Sequence, residues 1–216
     1  MKFDLLDKHL YLCTPLRDDI CEFVEQCIRG GVDIVQLRDK TNSDDNLLRG
    51  AKLLSDLCHS LNTPFIVNDR VDIALLSLAD GIHVGQNDIT PKDIQLLLKE
   101  DMIVGLSTHS NFEIEAIDPD VIDYFSIGPV EKTPTKPGRE PVSLDALTFA
   151  ETFSQSLTRT KKLPFFVTGG VAPEKVQNLY NHGASRFVVV RYLTESKDPY
   201  ASAKELKLAI NKLFSK

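Results

Sequence analysis

Eight short apolar runs recur along this chain of 216 residues, and most of them end in a polar, charged or glycine-rich cluster. The runs are Leu10–Cys13, Ile34–Leu37, Phe65–Val67, Ile82–Val84, Met102–Leu106, Tyr124–Ile127, Phe165–Val167 and Phe187–Val190. Amphipathic segments lie between them, with apolar residues at the three- and four-residue spacing of a helix. Continuously apolar strands that alternate with helices are typical of a parallel sheet buried on both faces.

The number of these units points to one architecture. Eight strand–helix units in a chain of this length match the size of a small (β/α)8 barrel. An open doubly wound sheet is the alternative that the same alternation allows. No linker or low-complexity stretch divides the sequence, so we predict one α/β domain over residues 1–216, a single TIM barrel.

Composition excludes several classes of function. The net charge of −6 argues against a nucleic-acid partner, which would require a basic face. No run approaches the roughly 20 apolar residues of a membrane span, and the amino terminus has no leader-like apolar stretch. The four cysteines lack zinc spacing, and we expect reduced, mostly buried thiols in a cytoplasmic protein. The sequence does not determine the oligomeric state. A homo-oligomer is compatible with it, since barrels of this type often associate with copies of themselves.

Cationic side chains follow the second apolar run. Gln36, Arg38 and Lys40 alternate along the chain, and the two-residue period of an extended segment puts them on one side. A guanidinium and an ammonium beside an amide suit a polyanion such as a phosphate. The alternative is a solvated strand end whose cations pair with Asp39 or Asp33.

Two carboxylates follow the third and fourth runs. Asp69 and Asp88 would meet at the mouth of a barrel, because the carboxyl ends of its strands face one side. Mg²⁺ usually takes one or two carboxylates together with phosphate oxygens. Each aspartate is alternatively a helix cap, and Thr90 competes with Asp88 for that position.

Two later segments have the composition of phosphate-binding loops. Residues 128–139 form a basic, proline-rich loop with hydroxyl groups, which is either a lid over phosphate or a plain surface loop. Gly169 and Gly170 end the seventh run, where the backbone of such barrels commonly binds phosphate. His109 and His83 are more simply explained as structural histidines, His83 because it lies within an apolar run.

In this order, the clusters resemble those of thiamine phosphate synthase, and the resemblance extends from Tyr11 to about Pro199. The matching segments are Gln36–Lys40, Ile66–Arg70, Asp80–Asp88, Gly105–His109, Gly128-Pro129 with Thr133–Pro137, Gly169-Gly170 and Val188–Arg191. Any one of these motifs is weak evidence, whereas the ordered set is specific.

The resemblance implies a TIM barrel that joins hydroxymethylpyrimidine diphosphate to hydroxyethylthiazole phosphate, giving thiamine phosphate and pyrophosphate. It implies that the pyrimidine diphosphate is bound by Gln36, Arg38, Lys40 and Asn68, with Ser107 and Lys136 on its diphosphate, and that Asp69 and Asp88 bind a Mg²⁺ cofactor. The thiazole phosphate would contact Thr133, Thr135, Gly170 and the backbone near Val190 and Arg191. Lys136 and Arg38 would stabilise the departing pyrophosphate electrostatically.

Some positions depart from the family pattern. Glu131 and Lys132 stand where an apolar or aromatic residue is expected, Asn87 where glutamate is common, and Ser185–Phe187 where the turn usually contains glycine. None of these changes removes an expected phosphate or metal ligand. The change at Glu131 and Lys132 bears on the geometry of the loop over residues 128–139, which the resemblance assigns to the thiazole phosphate.

Three other readings compete with the synthase. A thiazole tautomerase of the same superfamily would use His109 as its acid and base, but it has no evident need for two metal carboxylates and a diphosphate clamp. A non-catalytic barrel that binds thiamine phosphate is disfavoured by the intact metal ligands. An isomerase or aldolase would need an acid–base Glu or a Schiff-base Lys at a strand end, and none is convincing.

Overall fold

The computed structural model describes residues 3–97, 102–132, 138, 140–157 and 163–215. Eight parallel strands pair in chain order, and the last strand pairs with the first, which closes a barrel. The strands are β1 (Leu10–Thr14), β2 (Ile34–Leu37), β3 (Phe65–Asn68), β4 (Gly81–Val84), β5 (Ile103–Thr108), β6 (Tyr124–Ile127), β7 (Phe165–Thr168) and β8 (Phe187–Val189). The predicted TIM barrel is confirmed, and the open sheet is wrong because β1 pairs with both β2 and β8.

Helices cover the outside of the barrel. They are α1 (Ile20–Gly30), α2 (Asp44–Ser60), α3 (Val71–Leu76), α4 (Pro91–Gln95), α5 (Asn111–Glu115), α6 (Leu144–Ser156), α7 (Pro173–Tyr180), α8 (Arg191–Thr194) and α9 (Pro199–Lys212). Helix α1 ends at a left-handed cap, where Gly31 adopts φ 116° without the steric cost of a side chain. Helix α4 is short and ends at Gln95, close to the end of the described range 3–97.

The core has two parts that follow from strand alternation. Side chains that point into the barrel form a small buried cluster that includes Tyr11, Ile34, Tyr124 and Phe166. Side chains that point outward pack against the helices in a much larger cluster. The barrel is therefore a filled core, and a ligand is restricted to its ends.

Three aspartates stabilise the end of the barrel opposite the candidate site. Each one precedes an even-numbered strand, and its carboxylate accepts the backbone N–H at the start of the preceding odd-numbered strand. The pairs are Asp33 with Leu10, Asp80 with Phe65 and Asp123 with Val104, at 2.8 to 2.9 Å. Asp33 also pairs with Lys207 at 2.5 Å, so the alternative that it neutralises Arg38 or Lys40 is wrong.

The described residues contain no helix that is long and apolar enough to cross a membrane. The four cysteines, all within the described residues, form no disulfide; Cys13, Cys27 and Cys58 are buried and Cys21 is partly exposed, as the sequence led us to expect.

Candidate active site

Two cavities open at the carboxyl ends of the strands. We call the first, about 670 Å³, the acidic lobe; it is lined by Pro15, Arg38–Thr41, Asn68, Asp69, Gly85–Asp88, Ser107 and His109. We call the second, about 270 Å³, the glycine lobe; its lining includes Gln36, Arg38, Asn68, Ser107, Glu131, Gly169–Ala172, Lys175, Val188 and Val190–Tyr192. Arg38, Asn68 and Ser107 line both lobes, which therefore meet at these three residues.

The acidic lobe contains the two predicted metal carboxylates. Asp69 follows β3 in a left-handed conformation (φ 61°), and its Oδ2 lies 2.8 Å from the Nζ of Lys40. The carboxylate of Asp88 accepts the Gly85 backbone N–H at 2.7 Å. The Thr90 hydroxyl caps α4, so the alternative that Asp88 caps this helix is wrong.

The charges of this lobe favour a bound cation. The pKa of Asp69 is raised above its ordinary value, chiefly by burial, while the hydrogen bond from Lys40 lowers it and the Asp88 carboxylate raises it further. Two carboxylates thus lie close together with one ammonium group beside Asp69. The described residues include no group of three or more histidine, cysteine or acidic side chains with metal-site geometry. A divalent ion here would therefore take further ligands from water or substrate, which is the usual behaviour of Mg²⁺.

Asp39 shapes the loop that carries the cations. Its carboxylate accepts hydrogen bonds from the backbone N–H groups of Leu16, Thr41 and Asn42. Burial acts to raise its pKa, but the hydrogen bonds from Thr41 and Asn42 outweigh it and lower the pKa to about 2. Asp39 is thus a structural anion, and the alternative that it neutralises the neighbouring cations is wrong.

The three alternating residues reach the site by a different route from the one predicted. Strand β2 ends at Leu37, so the two-residue period covers only Gln36. Arg38 and Lys40 extend from the loop that Asp39 organises, and they still line the cavities.

A chain of buried hydrogen bonds forms the floor beneath the two lobes. It runs through Cys13, Gln36, Tyr11, Tyr124, His83 and Ser107, with successive separations of 3.3, 2.8, 2.8, 3.0 and 2.9 Å. Gln36 Nε2 donates to the Tyr11 hydroxyl. If Tyr11 donates to Tyr124, Tyr124 donates to His83 Nδ1 and His83 Nε2 donates to Ser107, each of these hydrogen bonds has one donor and one acceptor. The chain ends at Ser107, which lines both lobes.

The glycine lobe has the form of an anion site. Gly169 and Gly170 adopt left-handed conformations with φ of 100° and 69°. A Cβ on either residue would overlap Pro129 or Glu131, so only glycine fits this turn. Lys175 and Arg191 add positive charge to the lining, Glu131 and Glu195 add negative charge, and Tyr192 adds an aromatic side.

Other candidate residues have structural partners. The His109 ring bonds through Nδ1 to the Gly128 carbonyl at 2.6 Å, and its backbone N–H donates to Glu113. Arg70, at the end of the matching segment Ile66–Arg70, forms ion pairs with Asp44 and Asp72.

Most of the predicted site residues come together at this mouth. Those that line one or both lobes are Gln36, Arg38, Lys40, Asn68, Asp69, Asp88, Ser107, Gly170, Val190 and Arg191. Thr133, Thr135 and Lys136 lie outside the described residues. Sequence reasoning missed Tyr11, Tyr124 and Lys175: the two tyrosines lie inside apolar runs, and Lys175 is one lysine on an amphipathic helix.

Comparison with known proteins gives a consistent result. The family model described as thiamine monophosphate synthase matches residues 10–193. A thiamine-phosphate synthase of Arthrobacter sp. (strain FB24) is 38% identical, with 96% of each chain covered. One from Thermosynechococcus vestitus is 39% identical over 91% of this chain, which spans 54% of that relative's length. A solved structure, thiamine phosphate pyrophosphorylase from Pyrococcus furiosus, has a TM-score of 0.80 at 23% identity, covering 95% of this chain and 96% of that one.

Proposed function

The chain belongs to the thiamine monophosphate synthase family, and we propose that it joins hydroxymethylpyrimidine diphosphate to hydroxyethylthiazole phosphate. The products are thiamine phosphate and pyrophosphate. Both substrates are small phosphorylated molecules. The four cysteines form no disulfide, which is compatible with a reducing cytoplasm.

One observation carries this proposal: two polar lobes of different chemistry meet at Arg38, Asn68 and Ser107. A reaction between two phosphorylated molecules requires a place for each phosphate group and a shared boundary where the reacting atoms meet. An enzyme acting on one monophosphate needs only one of these places.

The acidic lobe suits the pyrimidine diphosphate. Arg38, Lys40 and Ser107 offer donors to its diphosphate oxygens, and Asn68 and Gln36 flank the boundary where the ring would lie. The sequence resemblance adds Lys136. Arg38 and Lys136 would stabilise the negative charge that grows on the departing pyrophosphate.

Asp69 and Asp88 fit a Mg²⁺ ion, because both are hard oxygen donors and their mutual repulsion is relieved by a cation. When bound, the ion would neutralise charge on the diphosphate. Lys40, which pairs with Asp69, would then become available to the diphosphate oxygens.

The glycine lobe suits the thiazole phosphate, with Gly170 and the backbone near Val190 and Arg191 facing its phosphate. The resemblance adds Thr133 and Thr135. This arrangement would direct the thiazole ring toward the shared boundary.

The chemistry needs positioning more than proton transfer. The methylene C–O bond of the pyrimidine breaks with its electron pair moving to pyrophosphate, and the electron-rich aminopyrimidine stabilises the resulting cation. The thiazole nitrogen then forms the new C–N bond with its lone pair. That nitrogen carries no proton, so no general base is required, and the residues need only bind, orient and exclude water.

The tautomerase reading gains less support. His109, the acid–base group that it requires, has its Nδ1 bonded to the Gly128 carbonyl, a contact that organises the segment after β6. The acidic lobe would also have no role in that reaction.

The direct test is formation of thiamine phosphate from the two purified substrates, with Mg²⁺ and with a chelator. We expect product only with Mg²⁺, and loss of at least about 100-fold in turnover for Asp88→Asn. A folded protein that makes no product with Mg²⁺ would refute the proposal.

A further inference from the structure

An ion pair lies inside the glycine lobe. The Nζ of Lys175, in the first turn of α7, lies 2.6 Å from Oε2 of Glu131, which follows β6. Both residues line the lobe. The pair joins two segments that are 44 residues apart in sequence, and sequence reasoning identified only Glu131, as a departure from the family pattern.

The Glu131 carboxylate lies against the glycine turn. A Cβ built on Gly170 would overlap its Oε2, so the carboxylate occupies the space directly over the backbone of that residue. This is an anion in contact with the glycine that the family pattern assigns to the substrate phosphate. Two anions cannot share this space and one lysine without strong repulsion.

The geometry points to Glu131 as a stand-in for the phosphate of the thiazole substrate, and to Lys175 as a further phosphate-binding residue. On binding, the phosphate takes the position of the Glu131 carboxylate and accepts the hydrogen bond of Lys175. This inference rests on the proposed function, because it adds two residues to the same subsite.

The exchange of partners is energetically accessible. Glu131 and Lys175 are 48% and 37% exposed, and ion pairs at such exposure contribute little to stability. A phosphate monoester carries up to two negative charges and three acceptor oxygens, so it is a stronger partner for the ammonium group than one carboxylate. The cost falls on affinity, because Glu131 competes with every substrate molecule for Lys175.

The experiment compares Glu131→Gln, Lys175→Gln and Lys175→Arg with the wild type. Lys52→Gln and Glu115→Gln, which remove one charge each on exposed outer helices, serve as controls. Two readouts are taken: the KM for each substrate, and the Kd for inorganic phosphate by titration calorimetry. Thermal unfolding confirms that each variant is folded.

We expect Glu131→Gln to lower the KM for the thiazole phosphate and the Kd for inorganic phosphate by roughly three- to tenfold. Lys175→Gln should raise this KM and this Kd by roughly tenfold each, because a hydrogen bond to a charged group is lost. Lys175→Arg should bring both values most of the way back to those of the wild type. The KM for the pyrimidine diphosphate should stay within about twofold, since that substrate occupies the other lobe.

Values for both glutamine variants that match the controls would overturn the inference. A higher KM for the thiazole phosphate in Glu131→Gln would also overturn it, because Glu131 would then assist binding. If the wild type makes no thiamine phosphate, the proposed function fails, while the phosphate titrations still decide whether Glu131 and Lys175 act on an anion.

Discussion

The Tyr124 hydroxyl is the centre of the buried chain beneath the site, and its removal should cost more than a surface change. It bonds to Tyr11 at 2.8 Å and to His83 Nδ1 at 3.0 Å, and its ring is 1% exposed. Tyr124→Phe keeps the aromatic contact with Phe166, whose ring centroid lies 5.4 Å away, and removes only the oxygen. The variant therefore isolates the two hydrogen bonds.

The expected loss follows from the groups left behind. Tyr11 still accepts from Gln36 but loses the acceptor for its own proton, and the hydrogen bond between Tyr124 and His83 Nδ1 is removed. A buried donor that loses its acceptor costs about 1–3 kcal/mol and a lost hydrogen bond about 1 kcal/mol, so we expect about 3 kcal/mol in total. In a domain of this size that corresponds to a fall of about 6–12 °C in Tm.

The assay is urea unfolding followed by circular dichroism, with the free energy of unfolding taken from the midpoint and slope. The exposed Tyr200 provides the control, because Tyr200→Phe should change stability by less than about 0.5 kcal/mol. A Tyr124→Phe variant as stable as this control would refute the account of the hydrogen-bonded floor.

Further variants separate activity from stability. Asp69→Asn should lower turnover at least about 100-fold. It should leave the free energy of unfolding unchanged or slightly higher, because the repulsion between the Asp69 and Asp88 carboxylates is removed. A loss of stability as large as the loss of activity would contradict a metal-binding role. The pKa of Asp39 is lowered to about 2, so its carboxylate stabilises the fold above about pH 4 and loses this effect as the pH falls toward 2. The difference in free energy of unfolding between the wild type and Asp39→Asn should therefore shrink as the pH falls over that range. A difference that stays constant with pH would contradict this role of Asp39. His109→Ala should reduce thiamine phosphate formation by less than about tenfold, since it removes a structural bond to Gly128, whereas a tautomerase would lose all its activity.

The architecture could be predicted because most residues on both faces of the strands are apolar. A strand of the barrel packs against helices on its outer face and against other strand side chains on its inner face, so it appears in the sequence as an uninterrupted apolar run such as Phe65–Val67. Eight such runs predict the eight strands of the barrel. The four residues of α8 gave no such signal, because they are too few to show a helical period.

The polar mouth was predictable in part for the same reason. Residues that follow an apolar run within two or three positions, such as Asp69 and Gly170, must lie at the carboxyl end of the barrel. The floor was not predictable, because Tyr11 and Tyr124 are 113 residues apart and each looks like an ordinary core residue. Partners of this kind are set by closure of the barrel, which local sequence does not encode.

The measurement that tests the central claim most directly is the stoichiometry of the two products, followed by ³¹P NMR in one sample. If the two lobes hold both substrates for direct coupling, pyrophosphate and thiamine phosphate should appear in equal amounts, and neither should form when the thiazole phosphate is omitted. Release of pyrophosphate without thiamine phosphate, or no reaction in the presence of Mg²⁺, would contradict the account.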